Sequence, residues 1–206
     1  MLIIGLTGSI GMGKSTVAKR FVENGIPVCD ADAEVHKLYA ANGAAVAPIE
    51  AAFPGVAGAD GVDRAKLAQH LMRDPEGFKR LEAIVHPLVW EAERAFLAEQ
   101  VAKGEAMAVL EIPLLFEGKG HTQVDVKVVV SAPAHLQRQR VLERPGMTEE
   151  KLAQILSRQV PDAEKRARAD FVVDTGLPIN ETLAQVDKVI DELRGLQGTA
   201  YDRCWT

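Results

Sequence analysis

The octet Gly8-Ser9-Ile10-Gly11-Met12-Gly13-Lys14-Ser15 matches G-x-x-x-x-G-K-[ST], a spacing that suits one chemistry, the holding of a nucleoside triphosphate. Gly8, Gly11 and Gly13 are expected in backbone conformations closed to other residues, so that loop N–H groups turn inward onto phosphate oxygens. A helix starting near Lys14 adds the positive end of its dipole. Lys14 supplies a point charge to the β- and γ-phosphates, and the Ser15 hydroxyl supplies a ligand for Mg²⁺.

A second group of residues has the types that phosphoryl transfer requires. The reaction needs an acceptor hydroxyl held in line with the γ-phosphate and a carboxylate that takes its proton. Asp30 and Asp32 follow the short apolar run Ile26–Cys29. Asp32 is chosen as the base, with Asp30 orienting it or helping to place hydrated Mg²⁺. Either aspartate also suits the N-cap of the helix that follows. Glu111 closes the apolar run Ala106–Ile112, where an acid either bonds a Mg²⁺-bound water or pairs with a lysine. In Pro113-Leu114-Leu115-Phe116-Glu117, packing under a sheet edge is the expected role of both leucines.

Arg138, Arg140 and Arg144 form the third group. Arg140 and Arg144 share a helical face ahead of the Pro145-Gly146 break, so two helices could hinge over a triphosphate as a basic lid. Between His135 and Arg168 there are eight basic residues against five acids, a net +3 within a chain of net charge −5. His86 precedes Pro87 at an expected helix start, a position for a cap, a core contact or a substrate contact.

Positioning these groups requires strands that deliver them and helices that follow. Leu2–Leu6, Ile26–Cys29, Ala106–Ile112, Val124–Ser131 and Phe171–Asp174 read as five buried strands. Helices are expected at about 14–24, 31–41, 134–143, 148–160, 162–169 and 180–194. From Ala44 to Val101 the pattern is helical throughout, with breaks at Pro54–Gly61, Asp74-Pro75 and His86-Pro87. Alternation of this kind implies an α/β fold with a five-stranded parallel sheet, whose ligands gather at the carboxyl ends of the strands. The tail 196–206 looks loosely held, with Tyr201 and Trp205 able to dock.

Composition bounds the rest. The 206 residues are 47% hydrophobic and 26% charged, ordinary for a globular chain. The acidic balance argues against a nucleic-acid binder held by nonspecific electrostatics. Two cysteines, Cys29 and Cys204, exclude a disulfide framework. With no leader and no long apolar run, neither export nor membrane spanning is signalled, and a cytoplasmic protein is expected.

With these residues in hand, the chain resembles the dephospho-CoA kinase family from Leu2 to about Arg194. The marks are Leu6 to Thr16, Val28-Cys29-Asp30-Ala31-Asp32, Ile84-Val85-His86-Pro87-Leu88-Val89, Ile112 to Glu117, Arg158-Gln159 and Ala169 to Asp174. The resemblance implies transfer of the ATP γ-phosphate to the ribose 3′-hydroxyl of dephospho-CoA, with Mg²⁺ accompanying ATP. It implies a P-loop NTPase core (1–43, 104–133 and 169–195), a helical substrate domain (44–103), a helical lid (134–168) and a tail (196–206). ATP binding falls on Gly8, Gly11, Met12, Gly13, Lys14, Ser15, Thr16, Arg140 and Arg144. Catalysis falls on Asp32, Lys14 and Arg140, and substrate binding on Asp30, Asp32, His86 and Leu114. Ser15 holds Mg²⁺, with Glu111 acting through water. A monomer or weak homo-oligomer is expected. One departure is Val173-Asp174-Thr175, where the family often has Ile-Asp-Asn, so an asparagine contact to the nucleotide base is missing.

The nearest rival is a nucleoside or nucleotide monophosphate kinase of the same P-loop class, differing only in its acceptor. A GTP-driven switch fits poorly, since no Asn-Lys-x-Asp segment occurs and no second strand runs into Asp-x-x-Gly. A noncatalytic nucleotide sensor would need neither a strand-end base nor an arginine lid.

Overall fold

A computed structural model describes residues 1–118 and 120–206. The first strand, β1 (Leu2–Thr7), runs into the glycine loop and α1 (Lys14–Glu23); β2 (Val28–Asp30) and α2 (Ala31–Tyr39) follow. Then come α3 (Val46–Ala52), β3 (Ala57–Gly58), β4 (Gly61–Val62), α4 (Arg64–Arg73) and α5 (Gly77–Ala102). The chain continues through β5 (Met107–Glu111), β6 (Val126–Ser131), α6 (Ala134–Leu142), α7 (Glu149–Leu156), α8 (Asp162–Ala167), β7 (Phe171–Asp174), α9 (Ile179–Leu193) and α10 (Ala200–Cys204). Among the described residues no helix is long and apolar enough to cross a membrane.

The chain falls into two compact units, residues 1–29 with 97–206, and residues 30–96. The first is built on a parallel sheet of order β2-β5-β1-β6-β7. All six residues of β1 are buried, as expected of a central strand covered on both faces. Leu2, Ile4 and Leu6 alternate onto one face, where Val17 and Phe21 of α1 and Val186 and Ile190 of α9 pack against them. Leu115, Phe116 and Val129 form a separate cluster. The order places β1 centrally, so the glycine loop lies between the carboxyl ends of β5 and β6. Such a crevice, where strand order reverses, is where α/β sheets collect ligands.

The second unit centres on Ala45, Ile49, Phe53, Val56, Leu67 and Val85. It begins at Asp30, and Val35, Leu38 and Tyr39 of α2 pack into this core. Two expectations for this region fail. The break expected at 54–61 does not merely interrupt helices but leads into the β3–β4 hairpin (57–62), tied down by Glu50, whose carboxylate accepts from Gly55 N (2.8 Å) and Ala57 N (2.7 Å). Those bonds hold the Glu50 carboxyl below its usual range. His86-Pro87 is no boundary either, since α5 runs straight through Pro87. Val85 is buried, and Leu81, Ile84, Leu88 and Val89 pack against the same core, so tertiary burial on both sides overrides the lost N–H.

The tail is docked. Trp205 is buried and donates from Nε1 to Gln123 O at 2.8 Å. Asp125 Oδ1 accepts from Thr199 N (2.7 Å) and Ala200 N (2.8 Å), while its Oδ2 accepts from Ile3 N (2.9 Å).

Candidate active site

The glycine loop ends on Gly13, whose φ of +83° makes it the left-handed residue before α1. No side chain caps α1 and no acid lies in its first turn, so its leading N–H groups keep their affinity for an anion. Gly11 also has positive φ, +78°. Gly8 does not; what it needs is closeness, because a Cβ there would stand 2.6 Å from Val130 O on β6. The Met12 side chain is buried, and its Sδ accepts from Ala132 N at 3.1 Å, which leaves only its backbone for a phosphate.

Lys14 forms an ion pair with Glu111, and both side chains are largely covered. Of the two roles open to Glu111, pairing with a lysine is the one seen here. Ser15 is exposed at the start of α1, next in the chain to that pair. Among the described residues there is no group of three His, Cys, Asp or Glu side chains placed to hold a metal ion.

Beside the loop lies a cavity of about 370 Å³ lined by Gly11, Gly13, Thr16, Arg140, Arg144, Thr175, Leu177, Ile179 and Thr182. Arg140 and Arg144 therefore do come together on the wall of the glycine-loop cavity. Arg140 is fixed by two donated hydrogen bonds, to Thr175 Oγ1 (3.1 Å) and Thr175 O (2.7 Å). The Thr175 hydroxyl in turn donates to Met12 O at 2.7 Å. The residue standing where the family often has asparagine thus ties the arginine to the loop. Leu177 and Ile179 give this cavity an apolar, exposed wall.

Four contacts made by residues 137–165 are not visible in the sequence pattern. Gln137 of α6 donates to Ile10 O (2.8 Å), and Gln159, just beyond α7, accepts from Ile10 N (3.3 Å). Glu117 accepts from Val160 N (2.8 Å) and pairs with the fully buried Lys165 of α8 (2.8 Å). Arg138 is not among the residues lining this cavity and pairs with Glu149 across the turn between α6 and α7.

In the segment after β5, Leu115 is fully buried but Leu114 is 49% exposed, so the packing account holds for only one of the two leucines. Thr7 Oγ1 donates to Pro113 O at 3.2 Å and secures this segment to the end of β1.

The second unit holds the remaining candidates. Asp30 is the N-cap of α2, its Oδ1 accepting from Asp32 N (2.9 Å) and Ala33 N (3.1 Å). Asp32 lies in the first helical turn, exposed, and among the described residues its carboxylate has no hydrogen-bond or ion-pair partner. The two aspartates thus divide the readings open to them, one spent on the backbone and one left over. His86 is exposed in the interior of α5, not at a helix start. Sequence reasoning passed over Glu93 on α5, which is 7% exposed. Burial, with a smaller contribution from Glu34, pushes its carboxyl up to about 7.

These features agree with the comparisons to known proteins. A family model described as Dephospho-CoA kinase matches residues 2–181. A dephospho-CoA kinase from Mesorhizobium japonicum is 58% identical over 97% of this chain and 100% of its own length. Among solved structures, TT1252 from Thermus thermophilus is 36% identical with a TM-score of 0.78, covering 93% of this chain and 97% of that one. The dephospho-CoA kinase from Campylobacter jejuni is 26% identical with a TM-score of 0.69, covering 93% and 96%. With its glycine loop and arginine-walled cavity in place, the chain belongs to the dephospho-CoA kinase family.

Proposed function

We propose that this chain transfers the γ-phosphate of ATP to the ribose 3′-hydroxyl of dephospho-CoA, giving CoA and ADP, with the following division of labour. The loop N–H groups from Gly11 to Ser15 and the bare start of α1 hold the β- and γ-phosphates, Gly8 lets the loop lie close to β6, and Thr16 borders the cavity. Lys14 leaves Glu111 in part to neutralise charge building on the transferring group. Arg140 and Arg144 close over the triphosphate, stabilising that charge and excluding water as a competing acceptor. Asp32 accepts the proton of the attacking hydroxyl, and its lack of a partner among the described residues supports this. Leu114 and His86, both exposed, are assigned to the acceptor.

Mg²⁺ fits the donor set. Ser15 offers one hard oxygen and Glu111 a carboxylate, a sparse set that suits an ion arriving with phosphate oxygens and waters. Bound there, it would supply Lewis-acid neutralisation of the phosphates. The domains follow the same roles, with residues 44–103 for the acceptor and 134–168 as the lid. The enzyme works in the cytoplasm as a monomer or weak homo-oligomer.

The observation that carries this reading is the uncapped α1 terminus opening beside a cavity walled by two arginines. The test is ADP release from Mg·ATP with dephospho-CoA, set against a panel of nucleosides and nucleoside monophosphates. Turnover with dephospho-CoA alone is expected; preference for a monophosphate would overturn it.

A further inference from the structure

Both backbone polar atoms of one loop residue, Ile10, are held by side chains from the lid, so the two peptide units that flank it are each held once. Ile10 O accepts from Gln137 Nε2, and Ile10 N donates to Gln159 Oε1. A carbonyl needs a donor and an N–H needs an acceptor, so Gln137 presents its Nε2 and Gln159 its Oε1. Gln137 sits on α6, where the chain enters the lid, and is 6% exposed. Gln159 follows α7, in the connection to α8 on the chain's way out of the lid. The leaving stem is itself pinned one residue further on, since Val160 N donates to Glu117, and Glu117 pairs with the buried Lys165.

Peptide planarity turns these two bonds into constraints on the phosphate loop. A trans peptide fixes its N–H opposite its C=O. Holding Ile10 O therefore sets the direction of the Gly11 N–H, and holding Ile10 N sets that of Ser9 O. Ser9 O accepts from Met12 N at 3.1 Å, so the second constraint passes one turn along the loop. Gly11 needs it most, because glycine, with φ of +78°, is the residue freest to rotate. A side chain at Gly11 would meet Val141 and Gln137 O on α6, so that helix lies directly against the loop.

We propose that Gln137 and Gln159 are positioning residues that couple the lid to the phosphate loop through the two peptide planes flanking Ile10, so that loop geometry for ATP depends on where the lid stems stand. Neither glutamine needs to touch ATP. Displacement of either stem releases one peptide plane and costs ATP affinity without disturbing the acceptor. This rests on the nucleotide reading of the loop but not on which acceptor is phosphorylated.

The test uses opposite polarity at the two positions. Gln159→Glu keeps an acceptor for Ile10 N, whereas Gln137→Glu puts an acceptor against a carbonyl. Both add one negative charge beside the loop, and because Gln137 is the more buried, Gln137→Leu, which removes the donor without adding charge, must also raise KM for ATP. Expected is a KM for ATP raised more in Gln137→Glu than in Gln159→Glu by about threefold to tenfold, the worth of one neutral hydrogen bond, with KM for dephospho-CoA unchanged. Amide exchange of Ile10 in nucleotide-free protein supplies a readout independent of turnover. Gln159→Leu should speed it by about threefold to tenfold, and Gln159→Glu should restore it. Equal KM for ATP in the two glutamate variants, or Ile10 exchange indifferent to Gln159→Leu, would overturn the proposal. If turnover is lost with dephospho-CoA in wild-type protein, the functional reading has failed instead, and the exchange result still decides the coupling.

Discussion

Two helices begin where two strands of one sheet end, and their N-termini are treated in opposite ways. After β1, α1 starts on Gly13 with no side-chain cap and no acid in its first turn. After β2, α2 starts on Asp30, whose carboxylate takes up two backbone donors, with Asp32 and Glu34 in the first turn. A helix start deprived of its usual cap gives up about 1 kcal/mol of stability. The glycine loop accepts that loss because the missing acceptors arrive as phosphate oxygens. The capped terminus has no such vacancy, and what it presents is negative charge. One end suits an anion and the other presents a carboxylate, and under the proposed function the first holds phosphate and the second accepts a proton.

The largest expected effect attacks the uncapped end. Lys14→Ala should lower kcat/KM by about 10³-fold or more, since charge stabilisation at such sites is worth several kcal/mol. Steady-state ADP release measures it, and a loss under tenfold would return Lys14 to a structural partner of Glu111. Next comes the capped end: Asp32→Asn should cut kcat by about 10²-fold with KM for ATP held, the scale of general-base catalysis. Undiminished turnover would remove Asp32 from the chemistry.

The third test concerns the charge that α2 presents to α5. Burial keeps the Glu93 carboxyl near 7, above its usual value of 4.5. The folded protein then holds a proton there that the unfolded chain releases, so stability falls as pH rises from about 4.5 to about 7. The penalty is fully present above that window and absent below it. Glu93→Gln should therefore stabilise the protein at pH 8 by about 3 kcal/mol and change little at pH 4. Urea titrations at the two pH values decide it, and an equal effect at both would refute the shift. The smallest effect is Asp30→Ala, expected to cost about 1 kcal/mol of stability through the lost cap. If that substitution instead abolishes turnover while thermal unfolding barely moves, Asp30 acts on substrate or metal.

Much of this was legible in the residues themselves. Strands such as Val126–Ser131 are near-continuous branched runs, and burial on both faces is what such runs require. The loop was visible because its glycines and Lys14 are adjacent in sequence. The hairpin at 57–62 was hidden because two-residue strands have no period and owe their place to Glu50. Pro87 misled because local breaking strength was set against packing that the chain order does not display. Gln137, Gln159 and Thr175 escaped notice as contacts because their partners lie more than a hundred residues away. Which of Asp30 and Asp32 caps the helix was not legible, because either position suits a cap; the structure gives that place to Asp30.

Asp125 has one more consequence. Its two oxygens take the amide of Ile3 on one side and those of Thr199 and Ala200 on the other. Ile3 is four residues upstream of Thr7, where the strand hands over to the glycine loop. A strand clamped at its beginning has no freedom to slide, and a slip of one residue would exchange its inward and outward side chains. That distant carboxylate is the zero mark of a ruler whose far graduation is Gly8, so the last helix helps to set, from the opposite end of the sheet, where the phosphate cradle comes to rest.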